Sequence, residues 1–350
     1  DSLVGSEMCI RDRINNFDWR AQESKINSFS HYKTLINGNP IHFIYEKGKG
    51  PNPTPLILSH GWPWTFWDWH KVIKPLTDPE SFGGDPKDSF DVIVPSLPGY
   101  GFSSPLQSSG INFWETADIW VYLMRDVLGY DRFAAGGGDW GALVTSQLGH
   151  KHAKYIIGTY IHLMAPLDLF NGPLPEKMDY TEEEKKYFDR NEAFFTNESG
   201  YSAIQTTKPQ TVAYGLNDSP SGLCSWILEK RRTWSDSEGD VESRFTKDDL
   251  LTTVCIYWFT QTYGTSARYY YECVHNPWTP SHRTMPIVEA PTGIGVFPNE
   301  VIMMPRSWAE KYYNLFHWTE MPSGGHFAPM EEPEALVEDI RTCLLYTSDA

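Results

Sequence analysis

The stretch Phe133-Ala134-Ala135-Gly136-Gly137-Gly138-Asp139-Trp140-Gly141-Ala142-Leu143 (133–143) decides the fold. Small apolar residues run into a cluster of glycines, and a single acid stands where the chain must reverse. A helix-forming run then continues to His150. The pattern predicts a strand over Arg132–Ala135, a tight turn, and a helix over Gly141–His150. Working outward, Ile41–Tyr45, Pro55–Ser59, Phe90–Pro95 and Tyr155–Leu163 also read as strands bounded by Pro/Gly turns. Ile111–Leu128 reads as a helix, with Trp114, Ala117, Trp120, Val121, Met124 and Leu128 near helical spacing. Strands alternating with helices imply a mostly parallel sheet covered on both faces. From about Pro166 to Pro280 this rhythm breaks into helical candidates at Thr181–Phe194, Ser221–Trp234, Lys247–Phe259 and Thr265–Val274. Pro286–Val296 and Leu315–Met321 restore strand character, and Pro333–Leu344 closes as a helix. The expectation is an α/β core over 41–165 and 281–342, interrupted by a helical insertion over 166–280.

Composition narrows the function. The 350 residues carry 29 Lys+Arg against 45 Asp+Glu, a net charge of −16, which argues against a nucleic-acid surface. Aromatics make up 15 % of the chain, enough to line an apolar pocket as well as fill a core. No apolar run approaches the roughly 20 residues of a membrane span. The chain therefore reads as soluble, and five cysteines without a CxxC pair favour a reducing, cytoplasmic setting over a disulfide framework or a zinc site.

Three segments fall at the carboxyl ends of predicted strands, where ligands bind in sheets of this kind. They are His60-Gly61-Trp62-Pro63, Gly137-Gly138-Asp139-Trp140-Gly141 and Gly324-Gly325-His326-Phe327. Gly136-x-Gly138-x-x-Gly141 literally spells a dinucleotide fingerprint. Asp139, however, would set a carboxylate against the pyrophosphate, and the next strand ends in Tyr160-Ile161-His162 with no acid for a ribose. The better reading is a nucleophile elbow with Asp139 in the place of serine. A carboxylate is ionised at neutral pH and attacks an sp3 carbon without an activating base. The ester so formed must be hydrolysed, which needs a base to activate water. His326 is the candidate, with an acid partner at Glu300 or Glu289. Taken singly, a Gly-Gly-His turn or an Asp at a helix start has a bland explanation as a surface turn or an N-cap. Together, in the order nucleophile, acid, base, they point to catalysis.

On these residues the chain resembles the microsomal-type branch of the epoxide hydrolases, in the α/β-hydrolase superfamily. The segments that carry the resemblance are HGWP (60–63), PSLPGYGFS (95–103), GGDWG (137–141), PTGIGVFPNE (291–300) and GGHFAPMEEPE (324–334). ESGYSAIQTTKP (198–209), LNDSPSGL (216–223) and SARYYYE (266–272) match the family's cap. The resemblance implies an α/β-hydrolase fold with the cap inserted after the sixth strand. It implies Asp139 as nucleophile, His326 as base and Glu300 as orienting acid, with Tyr201 and Tyr270 on the epoxide oxygen. Tyr269 and Tyr271 flank the latter. Backbone N–H groups of Trp62 and Trp140 would form the oxyanion hole, with a cis Trp62–Pro63 bond, and His60, Pro63 and Phe327 would line the pocket. A small lipophilic epoxide and water are the implied partners, with no metal, nucleotide or flavin.

Two other activities share parts of this pattern. A haloalkane dehalogenase would use the same nucleophile without paired cap tyrosines, and an inactive binding protein would have no use for an intact triad. Asp1–Arg13 and Cys343–Ala350 carry no period that continues into their neighbours and look similar to translated adapter read-through in environmental assemblies. They are expected to be non-native tails. Residues 14–50 are then the remnant of a longer N-terminal meander, ahead of which a signal or anchor could have stood.

Overall fold

The computed structural model describes residues 17–345. One sheet carries eight strands: β1 (His31–Ile36), β2 (Asn39–Glu46), β3 (Thr54–Ser59), β4 (Phe90–Pro95), β5 (Phe133–Gly137), β6 (Ile156–Ile161), β7 (Val288–Val296) and β8 (Tyr313–Glu320). Their order is β1-β2-β4-β3-β5-β6-β7-β8, with β1 and β2 antiparallel to their neighbours and the rest parallel. The order reverses at β3, so the ends of β3 and β5 open beside each other, the usual ligand position in such sheets. β4 and β5 are buried along their whole length, which explains why their sequences read as unbroken apolar runs and not as alternations.

β1 is the strand the sequence reading passed over. His31-Tyr32-Lys33-Thr34 is largely polar because β1 lies on the sheet edge. Its hairpin with β2 turns on Asn37 and Gly38, both at positive φ (51° and 78°), the backbone that a two-residue Asn-Gly turn requires. Helix α1 (Trp19–Ile26), capped by the Asp18 side chain, precedes it. Helix α2 (His70–Thr77) follows β3. Helix α3 (Phe113–Tyr122) starts on Asn112 as its cap and runs into a π turn over Leu123–Val127, and helix α4 (Trp140–Lys151) follows β5.

Between β6 and β7, after the sixth strand, the chain builds six helices: α5 (Lys185–Asn197), α6 (Gly200–Thr207), α7 (Pro209–Asp218), α8 (Pro220–Thr233), α9 (Lys247–Thr260) and α10 (Tyr263–His275). They form a cap over the carboxyl ends of the strands. Two of them, α6 and α7, were not anticipated; Gly200, Pro209 and Gly215 break the period that would have shown them. After β7 come α11 (Arg306–Tyr312), α12 (Ala328–Glu331) and α13 (Pro333–Leu345). Cys343 and Leu344 are buried in α13, so packed helix runs past the core boundary expected at 342. Leu345 ends the same helix, and the other residues read as tails, 1–13 and 346–350, lie outside the described residues. No helix among the described residues is long and apolar enough to cross a membrane.

Candidate active site

β5 ends at Gly137 and α4 begins at Trp140, leaving two residues to reverse the chain. Asp139 takes the strain, at φ 50° and ψ −128°, outside the regions open to most L-residues. The backbones beneath it nearly touch. A Cβ on Gly141 would lie 2.0 Å from the carbonyl oxygen of Ser59 at the end of β3, and a Cβ on Gly61 would lie 2.2 Å from Asp139 Oδ1. Glycine at both positions is thus a condition of bringing the β3 loop against the carboxylate. The Trp62 N–H donates to Asp139 Oδ1 at 2.7 Å, and Trp62 joins Pro63 through a cis peptide bond.

The other carboxylate oxygen, Oδ2, faces His326 Nε2 at 3.4 Å. His326 Nδ1 is 2.6 Å from Glu300 Oε1, which also accepts the Val301 N–H at 2.6 Å. The Asp139, His326 and Glu300 side chains therefore stand in one line, and His326 and Glu300 are fully enclosed. Burial works against charge on the His326 imidazole. The Glu300 and Asp139 carboxylates on its two sides outweigh it and push its pKa up to about 10. Glu289, the alternative acid, is exposed on β7 and lies 3.8 Å from His282, away from this line.

Above Asp139 the cap supplies two phenols. Tyr201 on α6 stacks on the Trp62 ring (4.9 Å, 8°), and Tyr270 on α10 meets Trp140 edge-on at 4.6 Å. The two tyrosine rings are 5.8 Å apart, nearly perpendicular. Burial drives both phenol pKa values well above the usual range, so both stay protonated and able to donate. Their neighbours are used differently: Tyr269 bonds Thr116 at 2.7 Å, and Tyr271 stacks on His275. Asp139, Trp140, Tyr201 and Tyr270 border a cavity of about 190 Å³. The rest of its wall is mostly apolar, including Leu163, Phe170, Leu174, Phe194, Trp234 and Ile302, with Ser199 and Ser202 the exceptions.

Comparison with known proteins gives this geometry a family. Residues 8–69 match the family described as epoxide hydrolase N terminus, and residues 54–206 match the alpha/beta hydrolase fold. Epoxide hydrolase 1 of Oryctolagus cuniculus is 39 % identical in an alignment 348 positions long that covers 93 % of this chain and 76 % of that one. The chain belongs to the epoxide hydrolase family. Solved structures agree: juvenile hormone epoxide hydrolase of the silkworm Bombyx mori superimposes with a TM-score of 0.86 at 29 % identity, covering 99 % of this chain and 85 % of that one. Aspergillus niger epoxide hydrolase gives 0.84 at 27 %, covering 98 % and 85 %. This epoxide hydrolase is thus an enzyme of the α/β-hydrolase fold whose substrates are an epoxide and water.

Three side chains expected on the pocket wall of this epoxide hydrolase make other contacts. His60, Pro63 and Phe327 are not among the cavity-lining residues. The His60 ring is enclosed, with Nδ1 on the Gly61 carbonyl (2.9 Å) and Nε2 accepting the Leu97 N–H (3.0 Å), so it braces two loops; burial lowers its pKa to about 4 and keeps it neutral. Pro63 presents its carbonyl to Arg231. Phe327 packs behind His326, between Trp64, Trp234 and Phe245. Short polar motifs locate the reacting groups, but adjacency in sequence does not place a neighbour on the same wall.

The sequence reading also missed the loop that drops from the end of α8 into the core. The Trp234 carbonyl accepts the His326 N–H at 2.9 Å. Asp236 Oδ2 accepts the Gly324 N–H at 3.0 Å, its other oxygen takes the Asn299 side-chain amide, and Arg244 pairs with both Asp236 and Glu332. Asn299 and Gly324 lie one and two residues from Glu300 and His326. The backbones carrying the acid and the base are thus tied together by the cap. No local pattern announces such a tie, because its partners are about 60 to 90 residues apart.

Proposed function

We propose that this epoxide hydrolase converts lipophilic epoxides to vicinal diols through an alkyl ester on Asp139. The placement of the Asp139 carboxylate supports this reading best. It is hydrogen-bonded at Oδ1, faces an imidazole at Oδ2, and borders an apolar cavity that two phenols also border. Asp139 attacks an epoxide carbon while Tyr201 and Tyr270 donate to the ring oxygen as it takes up negative charge. The resulting ester leaves Asp139 uncharged. His326 then loses one of the two carboxylates that held its proton, its pKa falls, the proton passes by way of the phenols to the ring-opened alkoxide, and the neutral imidazole becomes a base for water. Water adds to the ester carbonyl, and the oxyanion rests on the Trp62 N–H and on the N–H of Trp140, the first residue of α4. Collapse of this intermediate returns the carboxylate and releases the diol. The mostly apolar wall favours substrates whose remaining substituents are hydrocarbon, since a polar substituent would lose its hydration there without a partner.

Single-turnover hydrolysis in 18O-labelled water tests the covalent path. With enzyme in excess, the first diol should carry unlabelled oxygen from Asp139, and the label should enter the carboxylate. Label appearing in the first-turnover diol would mean that water attacks the epoxide directly and would sink the reading.

The paired phenols give a second expectation. Tyr201→Phe or Tyr270→Phe should each slow ester formation by roughly 10- to 100-fold, since one donor remains. The double substitution should cost far more than either one and leave ester hydrolysis nearly unchanged. Rapid-quench measurement of the two steps separates these effects; a double variant no slower than the singles would remove the phenols from the mechanism.

A further inference from the structure

We infer that Arg231, a cap residue that does not line the substrate cavity, is a positioning residue for the oxyanion hole and acts selectively on the second half of the reaction. Arg231 lies near the end of α8 and is 2 % exposed. Its Nη2 is 2.6 Å from Oδ1 of Asp68, itself 1 % exposed, and donates to the Pro63 carbonyl at 3.4 Å. The guanidinium also lies 4.0 Å over the ring of Phe327, the residue after the base. Asp68 closes the same loop from within, its Oδ2 accepting the Thr65 N–H at 2.8 Å. A second cap side chain, Tyr257 on α9, donates to the Trp64 carbonyl at 2.8 Å.

The carbonyls of residues 63 and 64 are therefore both held from the cap, immediately after the Trp62 N–H that meets Asp139 Oδ1. The Trp62 N–H shares a peptide group with the Gly61 carbonyl, which lies 2.9 Å from His60 Nδ1, and the Pro63 and Trp64 carbonyls are held two and three peptide groups further on, so the cap contacts restrain where the loop can carry that N–H. An enclosed ion pair is an expensive way to stabilise a fold, because a well-packed apolar pair often serves as well. Here it holds a loop whose aim matters.

The two half-reactions use that N–H in opposite senses. Ester formation drains charge from Oδ1, so a donor there stabilises the starting carboxylate more than the transition state. Ester hydrolysis puts a full negative charge back on the same oxygen, so the donor stabilises the transition state. Loosening the loop should spare the first step and slow the second. This inference rests on Asp139 being the esterified residue.

The test is rapid-quench mass spectrometry of Asp68→Asn/Arg231→Met, which removes both charges together and leaves no unpaired buried ion. Ester hydrolysis is expected to fall about 10- to 100-fold. Ester formation should change by less than about threefold, so that most of the enzyme is alkylated at steady state. Arg231→Lys, which keeps a charge on Asp68, should recover part of the loss. Equal slowing of both steps, or an unchanged hydrolysis rate, would overturn the inference. Should the double variant fail to fold by circular dichroism, Tyr257→Phe is read in the same assay. It should slow hydrolysis about threefold or more, and an unchanged rate there overturns the proposal equally. If His326→Gln forms no ester with any epoxide, the assignment of Asp139 itself has failed, a result distinct from an ester that forms and partitions normally in the Arg231 variants.

Discussion

Incubated with an epoxide, the His326→Gln variant is expected to gain the mass of one substrate molecule and to keep it. Asp139 attacks as a carboxylate and needs no proton removed, so its first step survives the loss of the imidazole. The second step does not. Water in an apolar site is a poor nucleophile, and removing a positioned base costs roughly 10²- to 10⁴-fold. Because Nδ1 of His326 is anchored on Glu300 at 2.6 Å, the base works from one fixed orientation, and Gln offers no group of comparable basicity there. Ester should accumulate to near one equivalent, and digestion should place the added mass on the peptide containing Asp139. A variant that shows no adduct, or clears it at the wild-type rate, would contradict the roles given to both residues.

Asp139→Ala should be the more complete lesion. With no carboxylate there is no ester, and turnover is expected to fall by about 10⁴-fold or more, the loss typical when a covalent nucleophile is removed. Persistent diol formation at a substantial fraction of the wild-type rate would refute the mechanism. The same substitution has an effect visible without substrate. His326 holds its proton up to about pH 10 because it lies between two carboxylates, and removing one should lower its titration, as seen by NMR of labelled histidine rings. Folding raises this pKa above the ordinary 6.5, so the imidazolium contributes fully below about pH 6.5 and its contribution is lost as the pH rises through about 10. An unchanged titration in Asp139→Ala would mean that Glu300 alone keeps the proton in place.

The sequence displayed the core and the reacting groups for a physical reason. β4 and β5 are apolar throughout because both faces of a parallel sheet are covered, and Asp139, Glu300 and His326 sit at strand ends marked by glycine and proline. Glu300 could be preferred over Glu289 by resemblance, and geometry separates the two, one enclosed against His326 and the other at the surface. The limits were of two kinds. β1 hid because an edge strand can carry polar residues on both faces, although Asn37-Gly38 marked its turn. The cap's contribution to the site was invisible because Arg231, Trp234 and Asp236 act through partners far away in the chain. Nothing in the sequence around Arg231 or Asp68 marks the two as partners; the fold buries them against each other. The contacts that His60, Pro63 and Phe327 make were hidden for a related reason: a motif fixes which backbone approaches the site but not which way each side chain turns.

The ties from the loop after α8 to Gly324, Asn299 and His326 have a consequence for anyone redesigning this enzyme. A cap of this kind resembles an interchangeable module, and grafting one from a relative is the obvious route to a new substrate range. Here the graft would also remove the Trp234 carbonyl that seats the base and the Asp236 carboxylate that joins the acid and base loops. Substrate preference and catalytic alignment are thus inherited together. New specificity is better sought at Phe170 or Leu174, side chains that border the cavity and have no part in those ties.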